Sequence, residues 1–141
     1  MMRKMGMLLL ISTVFILGGC SIEDDHVNFQ FTALQITDVE VPESFDFNQN
    51  YVITVTYVRP NGCTFYEGFD VQKEALTVRN VVAIGSVRTD DEVCTQEAVE
   101  ETASFNFSVI YTEPYTFKFY TGENSEGEAQ YLEVVVPVNE N

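Results

Sequence analysis

From Phe29 to the C-terminus the apolar residues return at every second position, and few folds are open to a chain patterned this way. Tyr51, Ile53, Val55 and Tyr57 alternate with Val52, Thr54, Thr56 and Val58. Phe105, Phe107, Val109 and Tyr111 alternate with Asn106, Ser108 and Ile110, and Tyr115, Phe117 and Phe119 with Thr116 and Lys118. Leu132, Val134, Val136 and Val138 enclose Glu133 and Val135. Successive strand residues point to opposite faces, so each run predicts a strand with one buried side, and its β-branched and aromatic residues suit that surface. Phe29, Phe31 and Ala33 share one face while Leu34 and Ile36 fall on the other, a phase change that predicts a bulge or a strand changing sheets. Val81-Val82-Ala83-Ile84 is apolar on both faces and reads as a fully buried strand. The predicted core is Ile53, Val55, Phe107, Val109, Phe117, Phe119, Val134 and Val136.

Turn chemistry separates these runs. In Arg59-Pro60-Asn61-Gly62, Pro presets φ and Gly tolerates positive φ, which predicts a hairpin from the Tyr51 strand to a strand opened by Cys63. Gly122 to Gly127 joins the last two long strands. Pro42 to Asn50 is a longer loop whose Phe45 and Phe47 either tuck onto the core or offer a contact surface. Thr89 to Glu101 is an acidic insert, with a single helical turn predicted over Gln96 to Glu101. A sheet with one apolar face must bury it against a second layer. About seven strands and no long helix therefore predict an all-β, two-sheet antiparallel sandwich over residues 29–138; a small barrel is the alternative.

The closing segment EPYTFKFYTGENSEGEAQYLEVVVPV resembles the final hairpin of bacterial immunoglobulin-like domains. The resemblance implies an immunoglobulin-like sandwich. It does not extend to the antibody pattern: the chain has no Trp, Cys63 opens a strand after a turn, and Cys94 lies in a loop.

Ahead of the strands, Arg3 and Lys4 precede an apolar run, Met7 to Leu17, too short to span a bilayer and followed by small residues. This is the layout of a cleaved secretory signal over residues 1–19. Leu17-Gly18-Gly19-Cys20 resembles the lipobox of bacterial lipoproteins. The resemblance implies lipidation at Cys20, cleavage before it, and attachment to the cell envelope, with the outer membrane as the expected location. The lipid is then the membrane partner, since multiple acyl chains hold a protein stably where one does not. Residues 20–28 form an acidic tether. Within it Glu23, Asp24 and Asp25 resemble the export patch of surface lipoproteins of the Bacteroidota; a plain solvated linker is the other reading.

Arg3 and Lys4 leave with the signal, so five basic residues face 22 acidic ones, a formal charge of −17 on 122 residues. That charge repels nucleic acid and anionic head groups. Disorder is excluded by 45% hydrophobic and 13% aromatic residues. With Cys20 lipidated, Cys63 and Cys94 remain as an even pair in an oxidising compartment and are expected to form one disulfide.

Catalytic chemistry finds little footing. The single His, His26, lies in the tether, no phosphate-cradling Gly loop or HExxH motif occurs, and no cofactor is expected. Glu67 is a rare acid inside a strand, beside Gly68; its parity matches Phe65 and Phe69, and it reads as a bulge or edge residue before a functional acid. Asp90, Asp91 and Glu92 are adjacent, but their spacing fits no calcium loop, so solvated charge is preferred to Ca2+. The expected function is a non-catalytic binding or accessory module meeting a protein or glycan at the cell surface. Its expected contacts are Phe45, Phe47, Asp90, Asp91 and Glu92. An envelope enzyme or inhibitor with a carboxylate-based site is the alternative.

Overall fold

The computed structural model describes Gly19 and residues 28–90 and 93–140. These residues contain no helix, and 67% lie in strands. The strands are β1 (Phe29–Leu34), β2 (Ile36–Glu40), β3 (Phe45–Asp46), β4 (Asn50–Arg59), β5 (Thr64–Ala75), β6 (Val78–Arg88), β7 (Val99–Ser108), β8 (Tyr115–Glu123), β9 (Ala129–Val136) and β10 (Val138–Asn139). In the five-stranded sheet, β6 takes β5 along one edge. Its other edge takes β1 over residues 83–88 and β8 over residues 78–81, and β9 pairs with β8. A three-stranded sheet in the order β2-β4-β7 packs against it, and β3 and β10 form a two-stranded closure.

The phase change after Phe29 has both expected causes. β1 and β2 are one extended run that leaves the larger sheet and joins the smaller at Gln35, and the β2–β4 register slips between Ile36 and Asp38. Leu34 and Ile36 are buried on either side of the crossing, which leaves Phe29 and Phe31 facing solvent. Strand number and direction differ from expectation. Among the described residues ten strands replace about seven, because the crossing splits one run and β3 and β10 are two residues each. The pairings β6–β8 and β3–β10 are parallel, not antiparallel. Between β6 and β8 the chain visits the other sheet as β7, and a connection of that length permits a parallel return.

Two local expectations are corrected. Arg59 to Gly62 does not close a hairpin, since β4 stays with β2 and β7 while β5 pairs with β6. The Asn61 side-chain oxygen accepts from the Cys63 amide (3.0 Å) and the Thr64 hydroxyl (2.9 Å), turning the chain across to the other sheet. A Cβ at position 62 would collide with the Thr95 hydroxyl, and the Gly62 amide donates to the Thr95 carbonyl at 2.8 Å. Gln96 to Glu101 is not helical: residues 99–101 already pair with Arg59, Val58 and Tyr57.

The core lies between the two main sheets. Seven of the eight predicted core residues are buried, and Val134 is partly buried on the edge strand β9. Phe45 sits among Tyr51, Phe107, Tyr115 and Phe117, with ring centroids 4.8 to 6.1 Å away. Two tyrosines at the core have their polar ends satisfied: Tyr115 Oη, buried, accepts from the amides of Ile110 and Tyr111 at 3.1 Å, and Tyr51 Oη, partly buried, from that of Asp46 at 2.7 Å. Arg79, also buried, donates to the carbonyls of Ala75, Leu76 and Val78 at 3.1 Å and lies over the Tyr115 ring, which pins the β5–β6 turn.

At the far end of β4, Tyr57 stacks on Tyr66 (4.8 Å) and donates to Glu101 (3.2 Å), which also pairs with Arg59 (3.1 Å). Burial first, and then the hydrogen bond to the Glu101 carboxylate, push the Tyr57 phenol up to about 12. A phenol whose pKa is higher folded than unfolded stabilises the fold in its neutral form. That contribution is complete below pH 10 and is lost as pH rises from 10 through 12. Stability measured in urea should fall across this window, and Tyr57→Phe should flatten the fall. An unchanged slope in that variant would contradict the assignment.

Candidate functional site

The sequence-predicted site residues do not converge. Cys20, Glu23, Asp24, Asp25, Asp91 and Glu92 lie outside the described residues. Phe45 has no exposed surface, so its expected role as a contact residue is corrected: it is the centre of the aromatic core. Its tight turn partner Phe47 is 36% exposed. Asp90 is exposed just after β6. The strand registers place the Phe45–Phe47 turn and Asp90 at opposite ends of the sandwich, because β6 runs from Val78, beside Thr116, to Arg88, beside Phe29. Cys63 and Cys94 are joined in a disulfide with Cα atoms 5.4 Å apart.

A different set of side chains does converge. On the outer face of the five-stranded sheet, Phe29, Phe31, Phe65, Glu67, Ser86 and Arg88 line a depression of about 350 Å³. Its geometry follows from register. In β1, Phe31 lies opposite Ser86 and Phe29 opposite Arg88; in β5, Phe65 lies opposite Ser86 from the other side. β6 is therefore the floor and its two neighbours are the walls. The rings remain in solvent, with Phe31 68%, Phe29 49% and Phe65 42% exposed. Phe29 and Phe31 meet edge to face at 5.2 Å.

The polar floor is organised by a bulge. Tyr66 pairs with Gly85 and Gly68 with Ile84, so Glu67 is the extra residue between them. Gly68 has φ 155°, which an L side chain rarely adopts, and this permits the bulge. Before the bulge Phe65 faces out and Tyr66 faces in; after it Phe69 faces in, 5.5 Å from Tyr66 and 5.3 Å from Phe105. The common parity of Phe65, Glu67 and Phe69 is thus broken. Glu67 is exposed on an edge strand, as the bulge-or-edge reading expects. Its carboxylate accepts a short hydrogen bond of 2.5 Å from the Ser86 hydroxyl. Ser86 is only 7% exposed although it faces outward.

Periodicity missed Phe29, Phe31, Phe65, Ser86 and Arg88 as a group because they come from three strands. One signal was present: with Leu34 and Ile36 on the buried face, Phe29 and Phe31 must occupy the other. The depression joins exposed rings to a carboxylate, a hydroxyl and a guanidinium on a rigid sheet. It can offer apolar contact and a few fixed polar groups to one occupant at once. Among the described residues no three His, Cys, Asp or Glu side chains converge in a metal-holding group. Compared with known proteins, the chain matches no family model, no curated protein and no solved structure.

Proposed function

We propose that this protein is a lipid-anchored envelope protein with an immunoglobulin-like sandwich, acting as a non-catalytic binding or accessory module through the depression on its outer sheet face. The observation that carries the binding role is the set of three exposed phenylalanines around the Glu67–Ser86 pair and Arg88. A soluble chain gains nothing in stability by leaving such rings in water, and exposed apolar patches rimmed by polar groups mark interaction sites. The closing β8–β9 hairpin supports the immunoglobulin-like reading. The anchor rests on Leu17-Gly18-Gly19-Cys20, and surface display on Glu23, Asp24 and Asp25. The alternative, a carboxylate-based enzyme, has Glu67 as the one acid among the residues lining the depression, whereas glycoside cleavage ordinarily takes two carboxyl groups.

Screening the full chain against arrays of glycans and peptides tests the binding role. At least one bound species should lose retention in Phe65→Ala. Turnover of a substrate that Glu67→Gln abolishes would make the protein an enzyme instead. The anchor has its own test: Cys20→Ala should shift the protein out of the membrane fraction. Membrane attachment equal to the parent's would remove the lipid from the account.

A further inference from the structure

We infer that the depression takes a neutral, polyhydroxylated ring, a saccharide unit held between Phe31 and Phe65. The inference rests on the proposal that the depression is the binding site, and it names the class of ligand. Phe31 and Phe65 stand opposite the same residue, Ser86, on the two strands that flank β6. Neighbouring strands lie about 4.8 Å apart, so the two walls rise from backbones roughly 9–10 Å apart. Carbon atoms in contact sit about 3.5–4.0 Å apart, so that gap admits one flat ring touching both walls and not two. The occupant must therefore offer an apolar surface on each face.

Its edge must satisfy the floor. Ser86 and Arg88 are two residues apart on β6, roughly 7 Å along the strand, with the Glu67 carboxylate on the neighbouring strand. A ring without polar groups would strip water from a carboxylate and a guanidinium and return no hydrogen bonds. Lipid chains fail for the same reason. Charge narrows the choice further. An anion would meet Glu67 and the field of a strongly negative chain; a cation would meet Arg88. Glu67 is held by Ser86, and Arg88 has a partner of its own within the protein, so neither is an isolated charge waiting for an ion. Hydroxyl groups donate to a carboxylate and accept from a guanidinium with equal ease. A pyranose has C–H faces for the two rings and a rim of hydroxyls for the floor.

The test is saturation-transfer NMR on the detergent-solubilised full chain. The probes are a panel of neutral oligosaccharides (glucans, mannans, galactans), an oligogalacturonate and free phenylalanine. A neutral oligosaccharide should bind, with its ring C–H protons receiving the transfer. Phe31→Ala and Phe65→Ala should each weaken it by about three- to tenfold, and Glu67→Gln should also weaken it. Both rings lie on the solvent side of the sheet, so unchanged thermal midpoints should show the variants folded. If the uronate or phenylalanine binds instead and Phe65→Ala abolishes that, the inference of a neutral saccharide falls while the depression remains a binding site. If no neutral oligosaccharide binds, the inference is overturned. If no probe or array ligand responds to Phe65→Ala, the binding-site proposal falls with it.

Discussion

Phe45→Ala should lower the stability of the fold by about 3–5 kcal/mol, a large share of what a single domain possesses. The effect comes from position. Phe45 belongs to a two-residue strand, yet its ring is fully buried against four other aromatic rings from β4, β7 and β8. Its amide also donates to the Pro137 carbonyl at 2.8 Å, so the ring and the β3–β10 closure hold each other in place. Truncation would open a ring-sized cavity that the flanking strands cannot collapse to fill. Urea titration should show a lower midpoint with little change in slope. A loss under about 1 kcal/mol would mean that Phe45 is not the keystone its burial makes it.

Removing the disulfide should be almost as costly. Cys63 stands at the entry to β5 in the larger sheet, and Cys94 in the segment leading to β7 in the smaller one, so the bond staples the two sheets at one end. The bridged residues are 31 apart in sequence, and on the chain-entropy account closing such a loop contributes roughly 3–4 kcal/mol. The bond does not act alone. The Arg88 amide donates to the Cys63 carbonyl at 3.1 Å, and Gly62 to Thr95 at 2.8 Å, tying the end of β6 and the segment after it to the segment before β5. The Cys63→Ser/Cys94→Ser double variant should melt on the order of 10 °C below the parent. Its loss should match that of reducing the parent with dithiothreitol. A double variant that melts together with the unreduced parent would show that the cross-link carries no stability.

Strand identity was legible in the sequence where a strand keeps its own parity, as β4, β7 and β8 do through the core. Ile53 and Val55, Phe107 and Val109, Phe117 and Phe119 all face inward as their alternation requires. Strand pairing was not legible. Pro60-Asn61-Gly62 has hairpin chemistry, but a turn specifies a change of direction and not the sheet its exit strand will join. That is decided by long-range partners, here β7 for β4 and β6 for β5. Phe45 misled for a related reason. Two residues give no periodicity, so nothing local separates a loop phenylalanine from one seated in the core. The depression was hidden in a third way. A single inserted residue reverses parity, so Phe69 turns inward while Phe65 stays out, and only the pairing with β6 reveals where the slip falls. The sequence drew notice to Glu67 and to the two-phase pattern after Phe29. What it lacked was the register that brings Phe31 and Phe65 to the same serine.

Binding at the outer-face depression, as proposed, can be separated from binding at the ends of the sandwich. The measurement is binding of one ligand, taken from the array screen, to four forms of the full chain: the parent, Phe31→Ala/Phe65→Ala, Phe47→Ala, and Asp90→Asn/Asp91→Asn/Glu92→Gln. The account predicts that the double phenylalanine variant loses binding while the other two bind as the parent does. Loss in the acidic-loop or Phe47 variant, with the double phenylalanine variant unimpaired, would contradict it and move recognition to the ends of the sandwich.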